Sequence, residues 1–167
     1  QLPQLTTVQV ANLTTAQVSS LTSADLHAFT TQQFAGMATA QLRALTTDQL
    51  SALATDDFAA LGTRGLRAFD SAQIGALSTD AVVAMTTAQA NSLTTAQVAG
   101  LSTDQIATLE STDLRALSTQ TLRAFTSDQL AALTSDQMPQ LTTQQVAALT
   151  TAQIASLSTD DLTALST

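Results

Sequence analysis

The residues here that are able to do chemistry are few, and they are spaced by eights. His27 is the sole histidine, at a place expected to face solvent; without a partner it is a poor metal ligand and a poor general base. Asp56-Asp57 and Asp160-Asp161 are adjacent carboxylates, and Asp25 and Asp113 fall at the place of the second member of each pair. Paired acids suit a helix start, where they meet unpaired N–H groups and the positive end of the dipole. A calcium loop needs more oxygens and a glycine turn, so only weak calcium binding by carboxylates aligned along successive coils remains as an alternative. Arg43, Arg67, Arg115 and Arg123 sit in Leu-Arg-Ala-Leu or Leu-Arg-Ala-Phe. Arginine there offsets the negative end of a short helix, and the sharper reading is a ligand-binding ridge of arginines. No Ser-His-Asp set, phosphate-binding loop or zinc spacing is present. The expectation is therefore no catalytic, cofactor-binding or metal residues, no cofactor and no enzyme.

These residues are decorations on an octad, seen in its plainest form at Leu141-Thr142-Thr143-Gln144-Gln145-Val146-Ala147-Ala148. With Leu141 as position 1, the frame holds without insertion over twenty complete octads, residues 5–164, with partial octads at both ends. Position 1 is Leu, Phe or Met, position 3 is always Thr or Ser, and position 6 is always apolar. Position 5 is mostly Gln or Asp, position 8 is mostly small, and positions 4 and 7 vary and should face water. Such self-similarity marks a stacked repeat architecture, one array over 1–167.

One continuous helix fails on geometry. Eight residues at about 100° each leave the apolar positions drifting by about 80° per octad, so no stripe forms. A β-solenoid is the alternative, but Ala, Gln and Asp are poor strand formers and strict alternation is lacking. The octad instead predicts an all-α solenoid, a superhelix of very short helices, one per repeat. Thr or Ser at position 2 is the N-cap and Gln or Asp at position 5 is N3, together a capping box. Leu at position 1 and the apolar residue at position 6 form the hydrophobic staple. The position-3 hydroxyl either caps in place of position 2 or bonds a carbonyl of the neighbouring coil. A helix this short does not stand alone, so positions 1, 6 and 8 should share a narrow core, with small residues at position 8 allowing close approach.

Composition agrees. The chain has 167 residues, no Cys, 3% aromatics, 11% charged residues and a net charge of −8. Its five basic residues are all Arg. An acidic surface without basic patches argues against nucleic acid, and no apolar stretch is long enough for a membrane span. Absent cysteine excludes a disulfide framework. Neither end has a polar capping repeat, so a segment of a longer array is expected. Gln1-Leu2-Pro3-Gln4 returns as Gln137-Met138-Pro139-Gln140, which reads as a duplicated super-repeat, with the proline octad bent or 3₁₀-like. Regular Thr rows raise two further readings, ice binding and glycosylation, both weakened if the hydroxyls are consumed by helix starts.

The Leu-Thr-Thr-x-Gln-Val-x-Ala octad, clear in residues 93–109 and 141–157, resembles repeat tracts in very large secreted or surface proteins of Gram-negative bacteria, of the adhesin or haem-utilisation/adhesion type. The resemblance implies an extracellular or cell-surface stalk or adhesive repeat region. It transfers no site residue, and a single exposed His is not a haem pocket. The function expected is a structural spacer, with a self-assembling filament subunit as the alternative. The partners expected are neighbouring repeats or copies of itself and possibly other surface proteins.

Overall fold

The computed structural model describes residues 4–165, and among them every regular element is a helix of four to six residues or a 3₁₀ turn. In chain order these are α1 Thr7–Ala11, α2 Thr15–Ser20, α3 Ser23–His27, α4 Thr31–Gly36, α5 Thr39–Arg43 and α6 Thr47–Ser51. They continue as α7 Thr55–Ala60, α8 Gly62–Leu66, α9 Ser71–Gly75, α10 Thr79–Val83, α11 Thr87–Ser92, α12 Thr95–Ala99 and α13 Thr103–Thr108. Then follow α14 Ser111–Ala116, α15 Thr119–Leu122, α16 Ser127–Ala131, a 3₁₀ turn Met138–Gln140, α17 Thr143–Ala148, α18 Thr151–Ser156 and α19 Thr159–Ala164. No strand occurs among the described residues, so the β-solenoid alternative falls away.

The octad works as a start-stop unit. Thr142 is extended at φ −70°, ψ 154°; its hydroxyl accepts the Gln145 N–H at 3.2 Å, and its own N–H donates to the Gln145 side-chain oxygen at 2.9 Å. Two of the N–H groups that a helix start leaves unpaired are thereby satisfied. The stop comes at the next position 1: Leu149 is extended again at ψ 140° and donates its N–H back to the Val146 carbonyl. Two consecutive extended residues then swing the chain into the next cap.

The helices stack in three columns, each on the third element along. One column runs α1, α4, α7, α10, α13, α16, α18; a second runs α2, α5, α8, α11, α14, the 3₁₀ turn, α19; the third runs α3, α6, α9, α12, α15, α17. Side-chain hydrogen bonds between coils span 25 to 31 residues. These offsets run from just over three octads to just under four, so a side chain reaches into the turn that follows the third or fourth octad away.

Positions 1 and 6 fill the interior as expected: Leu50, Phe58, Leu66, Ile74, Ile106, Leu114 and Leu122 are fully buried position-6 residues. Position 8 is mostly half-buried, and its smallness has a steric cause. At Gly100 a Cβ would run into the Ser71 carbonyl oxygen. The proline octad departs from an α-helix as expected, with a turn followed by the 3₁₀ segment; its counterpart at Pro3 lies outside the described residues. At the α7–α8 junction Leu61 stays helical and Gly62 takes φ +59°, a left-handed turn that suits only glycine.

Candidate functional site: a buried glutamine row and an arginine-flanked cleft

The largest departure from expectation is position 5. It was assigned to capping alone, yet Gln33, Gln41, Gln49, Gln73, Gln89, Gln97, Gln105, Gln129, Gln137, Gln145 and Gln153 are buried. Gln97 shows why. Its oxygen accepts the Thr94 N–H at 3.0 Å, while its amide nitrogen donates to the Leu66 carbonyl at 2.7 Å and the Phe69 carbonyl at 2.9 Å. One planar amide thus closes the start of its own helix and the end of the helix four before it. Gln73, Gln105, Gln137 and Gln145 each reach three carbonyls of the earlier coil. Only an amide offers an acceptor and two donors at this reach, and buried backbone groups demand partners. The row stitches every coil to its predecessor.

Where glutamine is missing, the interior adapts or does not. Gly65 holds position 5 in α8, and Arg64 beside it donates to Ala35 and Met37 carbonyls at 3.1 Å each. Met37 is the carbonyl a glutamine at 65 would reach by the 28-residue offset seen elsewhere in the row. Thr121 keeps one long bond, 3.4 Å to the Leu93 carbonyl. Ala81 is buried and supplies no side-chain donor. Asp113 is buried with its Oδ2 unpartnered. Burial pushes its carboxyl above the ordinary range, opposed by the Thr87 hydroxyl and aided by Glu110. Burial likewise raises Asp57, with Asp56 adding to the rise and His27 opposing it.

The paired acids therefore divide. Asp25 and Asp161 do the expected helix-start work: each carboxylate accepts the N–H and hydroxyl of its cap residue, Thr22 or Ser158. The Thr22 N–H, then its hydroxyl, holds Asp25 below the ordinary carboxylate range. Asp57 and Asp113 instead sit in helices whose caps, Ala54 and Glu110, make no side-chain cap bond. The structure brings no group of three or more His or carboxylate side chains within reach of one metal among the described residues.

His27 is exposed but not idle: its Nε2 bonds the Ala52 carbonyl of the next coil, and since that carbonyl only accepts, Nε2 carries the proton. Arg43 does the same at the equivalent offset, its Nε donating to the Ala68 carbonyl at 3.2 Å. Position 7 therefore offsets the end of a helix in the following coil as well as its own, and it is not simply a water-facing position. The position-2 hydroxyl is the cap wherever it occurs in a helix-forming octad, and where it is lost at Ala38 or Ala54 nothing caps in its place. Among the described residues the position-3 hydroxyl takes neither role foreseen for it. Thr87 bonds Asp113, and nothing else in the structure explains the invariance of position 3.

Two clefts open between the column α5–α8–α11 and the column α9–α12–α15. The first, about 360 Å³, lies among Arg43, Arg67, Phe69, Asp70 and Gln73. The second, about 330 Å³, is lined by Arg67, Asn91, Thr95, Gln120 and Thr121 among others. Arg67 borders both. Of the expected arginine ridge, Arg43 and Arg67 share a cleft, whereas Arg115 and Arg123 line neither.

Capped one-turn helices, three columns and an interior of aliphatic side chains laced by amides together define a helical tandem-repeat protein, a solenoid. Within that class, the chain belongs to the ALTTAQ repeat family: the family model matches four times in tandem, at residues 18–55, 51–87, 82–110 and 106–143. These matches span three quarters of the chain. No curated protein and no solved structure matches it.

Proposed function

We propose that this array is a non-enzymatic structural spacer, a stalk or adhesin-type repeat region of a bacterial surface or secreted protein. One observation supports the reading above others: the glutamine row ties each coil to the preceding one at fixed offsets of 28 and 31 residues. A rod that is stitched coil to coil and spends its polar groups internally is suited to holding things apart. The Cys-free, Lys-free chain of net charge −8 is compatible with an exterior setting, and the octad's resemblance to surface-protein repeat tracts supports it. Small-angle scattering on arrays of increasing octad number tests the spacer: the maximum dimension should rise linearly with repeats, and a plateau would refute it. Protease treatment of intact cells making the parent protein tests the setting; protection of the array until lysis would refute an exterior one.

A second reading is end-to-end assembly into filaments, in which position-6 side chains such as Ile154 and Leu162, 36% and 42% exposed, would be covered by octads of another copy in the same register. Stacking of this kind is heterologous and open. Electron microscopy distinguishes the two readings. Long fibres that Leu162→Asp abolishes would establish assembly, and isolated short rods at high concentration would reject it.

A further inference from the structure

We propose that the second cleft is a binding site for an acidic sugar, a carboxylated unit of a polysaccharide, with Arg67 as its anchor. Octads that depart from the consensus are far apart in sequence yet meet here. Arg67 comes from the octad that carries Gly62 and Gly65, Asn91 from the one whose core residue is Ala90, and Gln120 from the one where Thr121 replaces glutamine. The replacement also accounts for the space: Thr121 is too short to fill the place of the amide seen in Gln97 or Gln129, and it lines the cleft instead.

The chemistry of the lining selects the ligand. Arg67, Asn91, Thr95 and Gln120 line the cleft and their side chains make no hydrogen bond to protein among the described residues. The lining contains a guanidinium and no carboxylate, in a chain of net charge −8. An unpaired guanidinium beside free amides and a hydroxyl offers a fork for a carboxylate and donors and acceptors for ring hydroxyls. Leu93 is the only apolar lining residue, and among the described residues no strand offers an edge for a peptide backbone. Those features favour a sugar over an acidic peptide.

The test is an NMR titration of the whole chain with an oligogalacturonate, a neutral galactose oligomer and an oligoglutamate. Saturable shifts at the amides of Arg67, Asn91, Thr95 and Gln120 are expected with the first alone. Arg67→Gln should weaken them by about tenfold or more, and Arg115→Gln, on the same column but outside the cleft, should not. Asn91→Ala, with its circular dichroism unchanged, should weaken binding too and guards against misfolding of the arginine variant. No saturable shift, equal loss in the Arg115 variant, unchanged binding in both cleft variants, or equal affinity for oligoglutamate would overturn the proposal. None of these outcomes depends on whether the array is a spacer.

Discussion

The octads from α16 to α18 and those around α7, α10 and α14 share the octad frame and an apolar interior, and they differ most plainly in the position-5 row. In the first region Gln129, Gln137, Gln145 and Gln153 each donate to carbonyls of the coil before. In the second, the equivalent residues are Asp57, Ala81 and Asp113, two buried acceptors and a methyl where a donor belongs. The contrast separates two contributions that a repeat usually blends. Leucine and valine supply the driving force for coiling, and the amide row supplies what a one-turn helix lacks, partners for its unpaired ends.

The largest effect should come from converting a regular octad into an irregular one. Gln105 serves the Ser102 N–H and the carbonyls of Ile74, Gly75 and Leu77. Gln105→Ala leaves these groups buried without side-chain partners and opens a cavity, so unfolding free energy should fall by about 2–4 kcal/mol. Urea denaturation reads it, and a loss no greater than that of an exposed position-4 change would make the row ornamental. Gly100→Ala should follow at about 1–3 kcal/mol. Its methyl meets the backbone of Ser71, which cannot rotate aside as a side chain would.

Much of this was legible before coordinates. Thr at position 2 with Gln three residues on and apolar residues at positions 1 and 6 dictates a capped turn, and Thr142 to Val146 folds as that pattern requires. Local pairing over three residues is visible in sequence because both partners lie in one octad. The second role of Gln145 was not legible, since Leu114 and Leu117 lie 31 and 28 residues away, and an eight-residue period leaves open how many octads close a turn. The cleft was hidden for the same reason. Arg67, Asn91 and Gln120 become neighbours only once the stacking of each helix on the third element along is known. The preference for Gln over Glu at position 5 is the trace that second role leaves in the sequence, because a capping box accepts either and only inter-coil donation requires the amide.

Repair of an irregular octad should run the other way. Asp113 carries a buried carboxyl raised above the ordinary range, first by burial, and Asp57 is raised for the same first cause. A raised acid in the folded state means that the native protein holds protons the unfolded chain has lost. Its favourable contribution is complete below the ordinary carboxylate pKa and disappears as pH rises through the raised value. Stability should therefore increase on mild acidification from neutral pH, until Asp25, shifted the opposite way, is protonated at lower pH. Asp113→Gln supplies the donor of the regular row toward Val82 and Met85. It should add about 1–3 kcal/mol at neutral pH and flatten the acid gain. Melting temperatures followed across pH decide it: a variant as pH-sensitive as the parent would free Asp113 from the role.

The smallest effect isolates the cap from the row. Ala38 and Ala54 both lack a side-chain cap bond, but Ala38 precedes Gln41, which still accepts the Ala38 N–H and donates to the Val10 and Leu13 carbonyls. Ala54 precedes Asp57, which has no amide to donate. If the row and the cap act independently, Ala38→Thr and Ala54→Thr should each add about 0.5–1 kcal/mol, read as equal rises in urea midpoint. A gain at Ala38 that is absent at Ala54 would mean the hydroxyl helps only where the amide already holds the helix start in place. The regular and irregular regions would then differ in cooperativity as well as in bond count.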